Sequence, residues 1–284
     1  MPITVENLSY RYLSGSVLMQ SALKDVTLTI NDGEFFGIIG HTGSGKSTFV
    51  QHLNGLIQPM SGKVIVDGFD MGDKKQRLRG RRLVGLVFQY PEYQLFEETV
   101  YKDVAYGPKN MNLSEDEVVS RVEEALRLVR LEPETFAEKS PFELSGGEKR
   151  RAALAGIIAM RPKYLVLDEP MAGLDPRGRR EVLDTLAMLR EKTGCAVIMV
   201  SHSMDDMARN AERIGVLSEG QLVKVGTPQE VFAEAELLTS MGLDVPQASL
   251  LAMALRKRGL DAPQDIYDLD GMMAYLSARR REHV

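Results

Sequence analysis

Three short stretches carry residue types whose spacing suits phosphate chemistry. The first is Gly40-His41-Thr42-Gly43-Ser44-Gly45-Lys46-Ser47-Thr48, which fits the phosphate-loop pattern G-x4-GK-[ST]. Its glycines let the backbone curl until successive N–H groups point at phosphate oxygens. The helix that follows adds partial positive charge. Lys46 is placed for the β- and γ-phosphates of a nucleotide, and Ser47 for Mg²⁺, an ion that keeps few protein ligands. The second stretch is the apolar run Tyr164-Leu165-Val166-Leu167 ending in Asp168-Glu169. A strand tip there brings Asp168 to the Mg²⁺ shell and lets Glu169 face an attacking water. Phosphoryl transfer asks mainly for positioning and charge stabilisation, so a carboxylate that orients water and takes its proton suffices. The third is Leu144-Ser145-Gly146-Gly147-Glu148, a hydroxyl and two glycines ahead of a helix. That is a second anion cradle, and Ser145 with Glu148 also spells a capping box. The bland alternatives are a chance glycine turn and a solvated acidic turn. The strand-loop-helix setting of the first stretch, and its occurrence with the second, weigh against both.

The elements that must hold these stretches can be read from periodicity. Ile3 to Tyr12, Leu23 to Ile30, Glu34 to Ile39, Lys63 to Val66 and Arg82 to Gln89 read as strands, with turns at Asn31-Asp32-Gly33 and Asp67-Gly68. Gly45 to Leu56 has a helical pattern. Ser114 with Glu117 predicts a capping box for a helix carrying Val118, Val122, Ala125, Leu126 and Val129 on one face. Gly147 to Met160 is a further helix, closed by Arg161-Pro162. Strand and helix then alternate through Tyr164 to Leu167, Arg179 to Lys192, Ala196 to Ser201, Met204 to Ala211 and Arg213 to Leu217, with a last strand pair turning at Glu219-Gly220-Gln221. Such alternation implies a parallel sheet covered by helices, an α/β fold. From about Gly226 the strands stop, and Pro228 to Met241, Pro246 to Arg258 and Asp265 to Arg281 read as short helices.

Bulk properties bound the function. The 284 residues are 44% hydrophobic and 26% charged, with a formal charge of -5. That is an ordinary globular mix, and it gives no reason to expect nucleic acid as a partner. Two basic clusters, Arg256-Lys257-Arg258 and Arg279-Arg280-Arg281, fall at predicted helix C-termini. There they offset the helix dipole, with anionic lipid or a partner as the other reading. The single cysteine, Cys195, opens a buried strand, as an inert core thiol in a reducing cytosol would. The first residues lack the basic start and apolar core of a signal peptide. No apolar run approaches the ~18 residues that cross a bilayer.

The third stretch resembles the LSGGQ signature of the ABC ATPases, with Glu148 where glutamine is commoner. The other elements of that family follow in order over residues 1–235. Tyr12 matches the aromatic that stacks on adenine, with Tyr10 as competitor and a core role as the plainer reading. Gln89 matches the Q-loop glutamine that touches Mg²⁺ and water. Gly173-Leu174-Asp175-Pro176 matches the D-loop, and His202 the histidine that grips the γ-phosphate; His41, His52 and His283 carry no comparable case as side chains. The resemblance implies a P-loop NTPase of ABC type: a nucleotide-binding domain at 1–225 with an antiparallel β subdomain and a helical signature subdomain at about 90–160, and a small C-terminal helical domain at 226–284. It implies Glu169 and His202 as catalytic residues, and Ser47, Gln89 and Asp168 around Mg²⁺. ATP would bind residues 40–48, Tyr12 and Gln89, with Ser145, Gly146, Gly147, Glu148 and Asp175 as further contacts. It also implies a head-to-tail dimer in which one chain's phosphate loop meets the other's Ser145-Gly146-Gly147.

Pro91 to Val100 and Asp103 to Asn110 further resemble the ATPases of energy-coupling factor (ECF) transporters, and Glu169 to Pro176 together with Tyr101 to Asn110 looks more like the second, A′ type of the pair. Those transporters take up vitamins and transition-metal ions. The implied partners are a second ATPase, a heterodimer before a homodimer, with a transmembrane T component and a substrate-binding S component. The implied location is the cytoplasmic face of the cell membrane. Tyr93, Leu95 and Phe96 are either core packing or a docking groove for the T component. Three rivals remain: a soluble ABC ATPase of DNA repair or translation, which usually carries a coiled-coil insertion or two ATPase units; a small-molecule kinase, which has no use for Ser145-Gly146-Gly147 with His202; and a regulatory ATP-binding module, against which an intact Glu169 argues.

Overall fold

The structure is a computed structural model and describes residues 1–12 and 21–282. His283 lies outside these, and the Arg281 side chain is likewise not described. The chain begins with β1 (Ile3–Arg11), β2 (Ser21–Ile30) and β3 (Phe35–Ile39), then α1 (Lys46–Leu53), β4 (Ser61–Val66), β5 (Phe69–Asp70), α2 (Lys74–Leu83) and β6 (Val84–Val87). A helical stretch follows: α3 (Val100–Asn110), α4 (Glu115–Leu128), α5 (Pro133–Phe136) and α6 (Gly146–Ile158). Then come β7 (Tyr164–Asp168), α7 (Pro176–Thr193), β8 (Ala196–Val200), α8 (Met204–Asn210), β9 (Arg213–Ser218) and β10 (Gln221–Gly226). The chain closes with α9 (Pro228–Phe232), α10 (Ala235–Ser240), α11 (Gln247–Lys257) and α12 (Leu269–Glu282).

Two sheets result. One is antiparallel, in the order β2-β1-β4-β5; the other has the order β10-β9-β3-β8-β7-β6, parallel except for the β10-β9 pair. β3, β7 and β8 are buried along their whole length, which is why they read as continuous apolar runs rather than alternating ones. Burying a side chain such as Phe36, Ile39 or Leu167 stabilises by roughly 1.5–3 kcal/mol against exposure. One large core spans the parallel sheet and its helices and extends to Val245; a second lies between the two sheets. A third, small core of Ala248, Ala252, Ala262, Ile266 and Met272 belongs to the last two helices. None of the described helices is long and apolar enough to cross a membrane.

Several local expectations are corrected. Arg82 and Leu83 end α2, so the strand expected from Arg82 begins at Val84. The helix expected over Pro228 to Met241 divides into α9 and α10, and the one expected from Asp265 starts at Leu269. The Ser114 capping box is half formed. Ser114 Oγ accepts from Glu117 N at 3.3 Å, but the Glu117 carboxylate turns to Arg121, 2.6 Å away. An (i, i+4) ion pair has taken the side chain the cap would need. The Ser145–Glu148 box is complete, with Ser145 N donating to Glu148 Oε2 at 2.8 Å.

Candidate nucleotide site

β3, β8, β7 and β6 run parallel and adjacent, so their C-terminal ends share one edge of the sheet. Ligands of open α/β sheets bind at that edge. The phosphate loop leaves β3, His202 follows β8, Asp168 and Glu169 end β7, and Gln89 follows β6. Gln89 is exposed.

The loop conformation depends on its glycines at two points. Gly45 has φ 104°, and a Cβ there would stand 2.3 Å from Ala22 O; a Cβ on Gly40 would meet Leu217 O at 2.3 Å. Any larger residue would force the loop off its neighbours. Lys46 is buried, and its Nζ donates to Gly40 O at 2.7 Å and His41 O at 2.9 Å. Burial pushes its pKa down, opposed by the carboxylates of Glu169 and Asp168. Ser44 Oγ is buried without a partner, an orphan polar atom within the cradle. Buried polar groups are seldom left so, and a phosphate oxygen would satisfy it.

Asp168 is 7% exposed. Burial raises its pKa against the pull of a Ser47 hydrogen bond and of Lys46. The Ser47 hydroxyl and the Asp168 carboxylate thus form a two-residue oxygen donor set. No group of three or more His, Cys, Asp or Glu side chains able to hold a metal occurs among the described residues. A sparse oxygen set fits Mg²⁺ held largely by phosphate and water. Glu169 adopts the left-handed region at φ 53° and is held by donation of its N–H to Val200 O at 3.1 Å. Its Oε1 lies 2.7 Å from His202 Nε2. Burial pushes the Glu169 carboxyl up, with His202 and Lys46 opposing and Asp168 reinforcing. Glu169, His202, Ala172 and Arg179 are among the residues lining a small cavity of about 230 Å³.

The two tyrosines part company. Tyr10 packs on the inter-sheet core, its ring edge-on to buried His52 at 5.0 Å. Tyr12 is 46% exposed, and its hydroxyl lies 3.1 Å from Thr48 Oγ1. His52 Nδ1 is tied to Thr48 O at 2.8 Å, a structural bond inside α1. Asp175 caps α7, accepting from Gly178 N at 2.7 Å.

The remaining stretch stands apart. Ser145 and Gly146 are exposed at the start of α6, and a Cβ on Gly146 would meet nothing within 4 Å. Among the described residues no hydrogen bond joins Ser145, Gly146 or Gly147 to the phosphate loop. Of the aromatic cluster, Leu95 packs on the core, whereas Tyr93 (84% exposed) and Phe96 (60%) do not. Phe96 and Leu95 border a cavity of about 490 Å³ between β6, α3 and α6.

The sequence matches the family model described as "ABC transporter" over residues 23–172. It is 55% identical over 271 residues to the energy-coupling factor transporter ATP-binding protein EcfA2 of Caldanaerobacter subterraneus subsp. tengcongensis, covering 95% of this chain and 94% of that protein. It is 53% identical over 275 residues to EcfA2 of Symbiobacterium thermophilum, covering 96% and 95%. Its structure is similar to that of cbiO1 from Clostridium perfringens, described as part of the ABC transporter complex cbiONQ: TM-score 0.73, 38% identity, 84% of this chain and 93% of that one. It is also similar to a dimeric ATP-binding cassette solved in a post-hydrolysis state with ADP and Pi: TM-score 0.71, 31% identity, 80% and 98%.

Proposed function

The chain belongs to the ABC transporter family as an ATP-hydrolysing subunit of energy-coupling factor type, and from that premise we propose how its residues do the work. ATP is held by the backbone of residues 40–48 and by Lys46, with Tyr12 against the adenine. Ser47, Gln89 and Asp168 are the residues that would hold Mg²⁺, which when bound would neutralise charge on the β- and γ-phosphates. Glu169 orients the attacking water and takes its proton, and His202 braces Glu169 and reaches for the γ-phosphate. The observation that carries this reading is the meeting of Lys46, Asp168, Glu169 and His202 at one sheet edge.

Ser145 and Gly146 are exposed at a capped helix start, and among the described residues Ser145-Gly146-Gly147 makes no hydrogen bond to its own phosphate loop. It therefore serves the nucleotide of a second ATPase across a two-fold contact, with Glu148 and Asp175 alongside. Hydrolysis waits on that closure. We assign residues 1–225 to the nucleotide-binding unit, with its helical part at about 90–160, and 226–284 to a helical appendage that steadies the pair. The partner ATPase is a different chain. The groove by Phe96 receives the T component, an S component captures a vitamin or transition-metal ion, and the assembly sits on the cytoplasmic face of the membrane. Purification through a tag on this chain tests the set. A second ATPase, a T component and an S component are expected to co-purify. Recovery of this chain alone, from membranes gently solubilised, would contradict the assignment.

A further inference from the structure

One side chain outside the phosphate cradle joins three of the segments assigned above. Arg150 lies in the second turn of α6, five residues past Ser145, and is 6% exposed. Its Nε donates to Glu92 Oε2 at 3.0 Å and its Nη2 to Glu92 Oε1 at 2.7 Å. Its Nη1 donates to Ala172 O at 2.7 Å and to Pro170 O at 3.4 Å. Glu92 sits on the 3-10 turn Pro91–Gln94, three residues after Gln89. Pro170 and Ala172 lie between Glu169 and Asp175. The guanidinium fork therefore spans the signature helix, the Q-loop and the segment running from the catalytic glutamate to the D-loop.

The geometry is that of a fixed bracket. A bidentate guanidinium–carboxylate pair is directional, which a lysine ammonium is not. Burial works against ionisation of Glu92, yet the Arg150 hydrogen bonds and charge hold its carboxyl below the usual range. The α6 helix does not need this pair for its packing, since Ala152, Leu154, Ala155 and Ile158 bury its apolar face in the main core. A buried charge pair adds little net stability over an apolar equivalent. Its place at the meeting of three segments points to geometry.

We propose that Arg150 is a positioning residue that makes the Q-loop, the signature loop and the Glu169-to-Asp175 segment move as one body. This rests on the site assignments above. The signature loop serves the partner's nucleotide, whereas Gln89 and Glu169 serve the chain's own. Arg150 thus links the two composite sites, so closure on one brings the water-orienting groups of the other into place.

The test uses the whole transporter complex carrying Arg150→Lys, which keeps the charge and loses the fork, and Glu92→Gln. Per folded complex, kcat for ATP is expected to fall by roughly 10- to 100-fold, as misplacement of catalytic groups does. Nucleotide affinity per folded molecule is expected to stay close to wild type, whereas the melting temperature falls, most in Glu92→Gln, because a single variant leaves the buried Arg150 charge without its partner. The double variant is expected to lose no more than the worse single one, because both break one bracket. A purely structural role would lower the melting temperature and leave kcat per folded molecule intact, which would overturn the proposal. So would losses that multiply in the double variant. If the wild-type complex itself shows no ATP turnover, the functional assignment fails instead, and the two failures are distinguishable.

Discussion

His202 Nε2 stands 2.7 Å from Glu169 Oε1, at the mouths of two neighbouring parallel strands. The contact exists because β7 and β8 are adjacent and in register, with Asp168 opposite Val200. Glu169 is also one of few non-glycine residues with positive φ. That backbone costs of order 1–3 kcal/mol and persists only where neighbours impose it. Here the bond from Glu169 N to Val200 O does so. The carboxylate is thereby aimed at its histidine.

Glu169→Gln is expected to keep ATP binding and reduce turnover by ~10²–10⁴-fold, the usual contribution of a positioned base. His202→Ala should also impair turnover while leaving the melting temperature near wild type, because the imidazole is 48% exposed. Steady-state hydrolysis and thermal melting of both variants check this. A variant hydrolysing at the wild-type rate would remove its residue from the mechanism.

Lys46→Ala is expected to weaken ATP binding and abolish transport without unfolding the protein. In the structure the ammonium spends its hydrogen bonds on loop carbonyls, Gly40 O and His41 O, at some cost from burial. Removing it takes away a desolvated cation, not a packed core group. Fluorescent-nucleotide titration reads the affinity; wild-type binding would contradict the placement.

Reversing the charge of Glu97 and Glu98 together is expected to uncouple uptake from hydrolysis. Glu98 is exposed and its partner is Lys102, 2.5 Å away, an (i, i+4) surface pair that solvent screens and whose loss costs the fold little. Both follow directly in the chain on Phe96, which borders the groove. Substrate uptake in vesicles should fall while basal ATPase activity stays. Normal uptake would remove the groove from the docking surface.

Asp32 gives the fold a pH dependence of known sign. Burial would raise its carboxyl, but the Tyr164 hydroxyl at 2.7 Å and Lys163 at 3.1 Å hold it at about 2, against an ordinary 3.8. A carboxyl lowered on folding stabilises above its unfolded value, and that contribution is lost as pH falls from 3.8 towards 2. Asp32→Asn should therefore lower the melting temperature near neutrality and match wild type at the acid end. The side chain is 49% exposed, so screening keeps the effect to about 1 kcal/mol or less. A gap that widens with acid would contradict it.

Where the sequence spoke clearly, the cause was periodicity or loop chemistry. Continuous apolar runs marked β3, β7 and β8, and glycine spacing marked the phosphate loop. Helix α2 was illegible for the opposite reason. Its ten residues, KKQRLRGRRL, bury only Gly80, so no apolar stripe exists; the Asp73 cap, accepting from Lys75 and Gln76, starts it. Helix α3 hides behind Pro108, a breaker tolerated near its end. Arg150 escaped because its burial is set by Glu92, 58 positions earlier, and by the carbonyl of Ala172. Nothing local distinguishes it from Lys149. The left-handed turn at Glu169 has no local signal either, being imposed by the neighbouring strand.

The most direct measurement is the specific ATPase activity of the purified ATPase pair across a dilution series at saturating Mg-ATP. If each nucleotide is enclosed by a phosphate loop and the Ser145-Gly146-Gly147 of the facing chain, activity per chain falls as the pair dissociates. Ser145→Arg should then extinguish it at every concentration. A separated protomer that hydrolyses ATP at the full, dilution-independent rate would contradict the account.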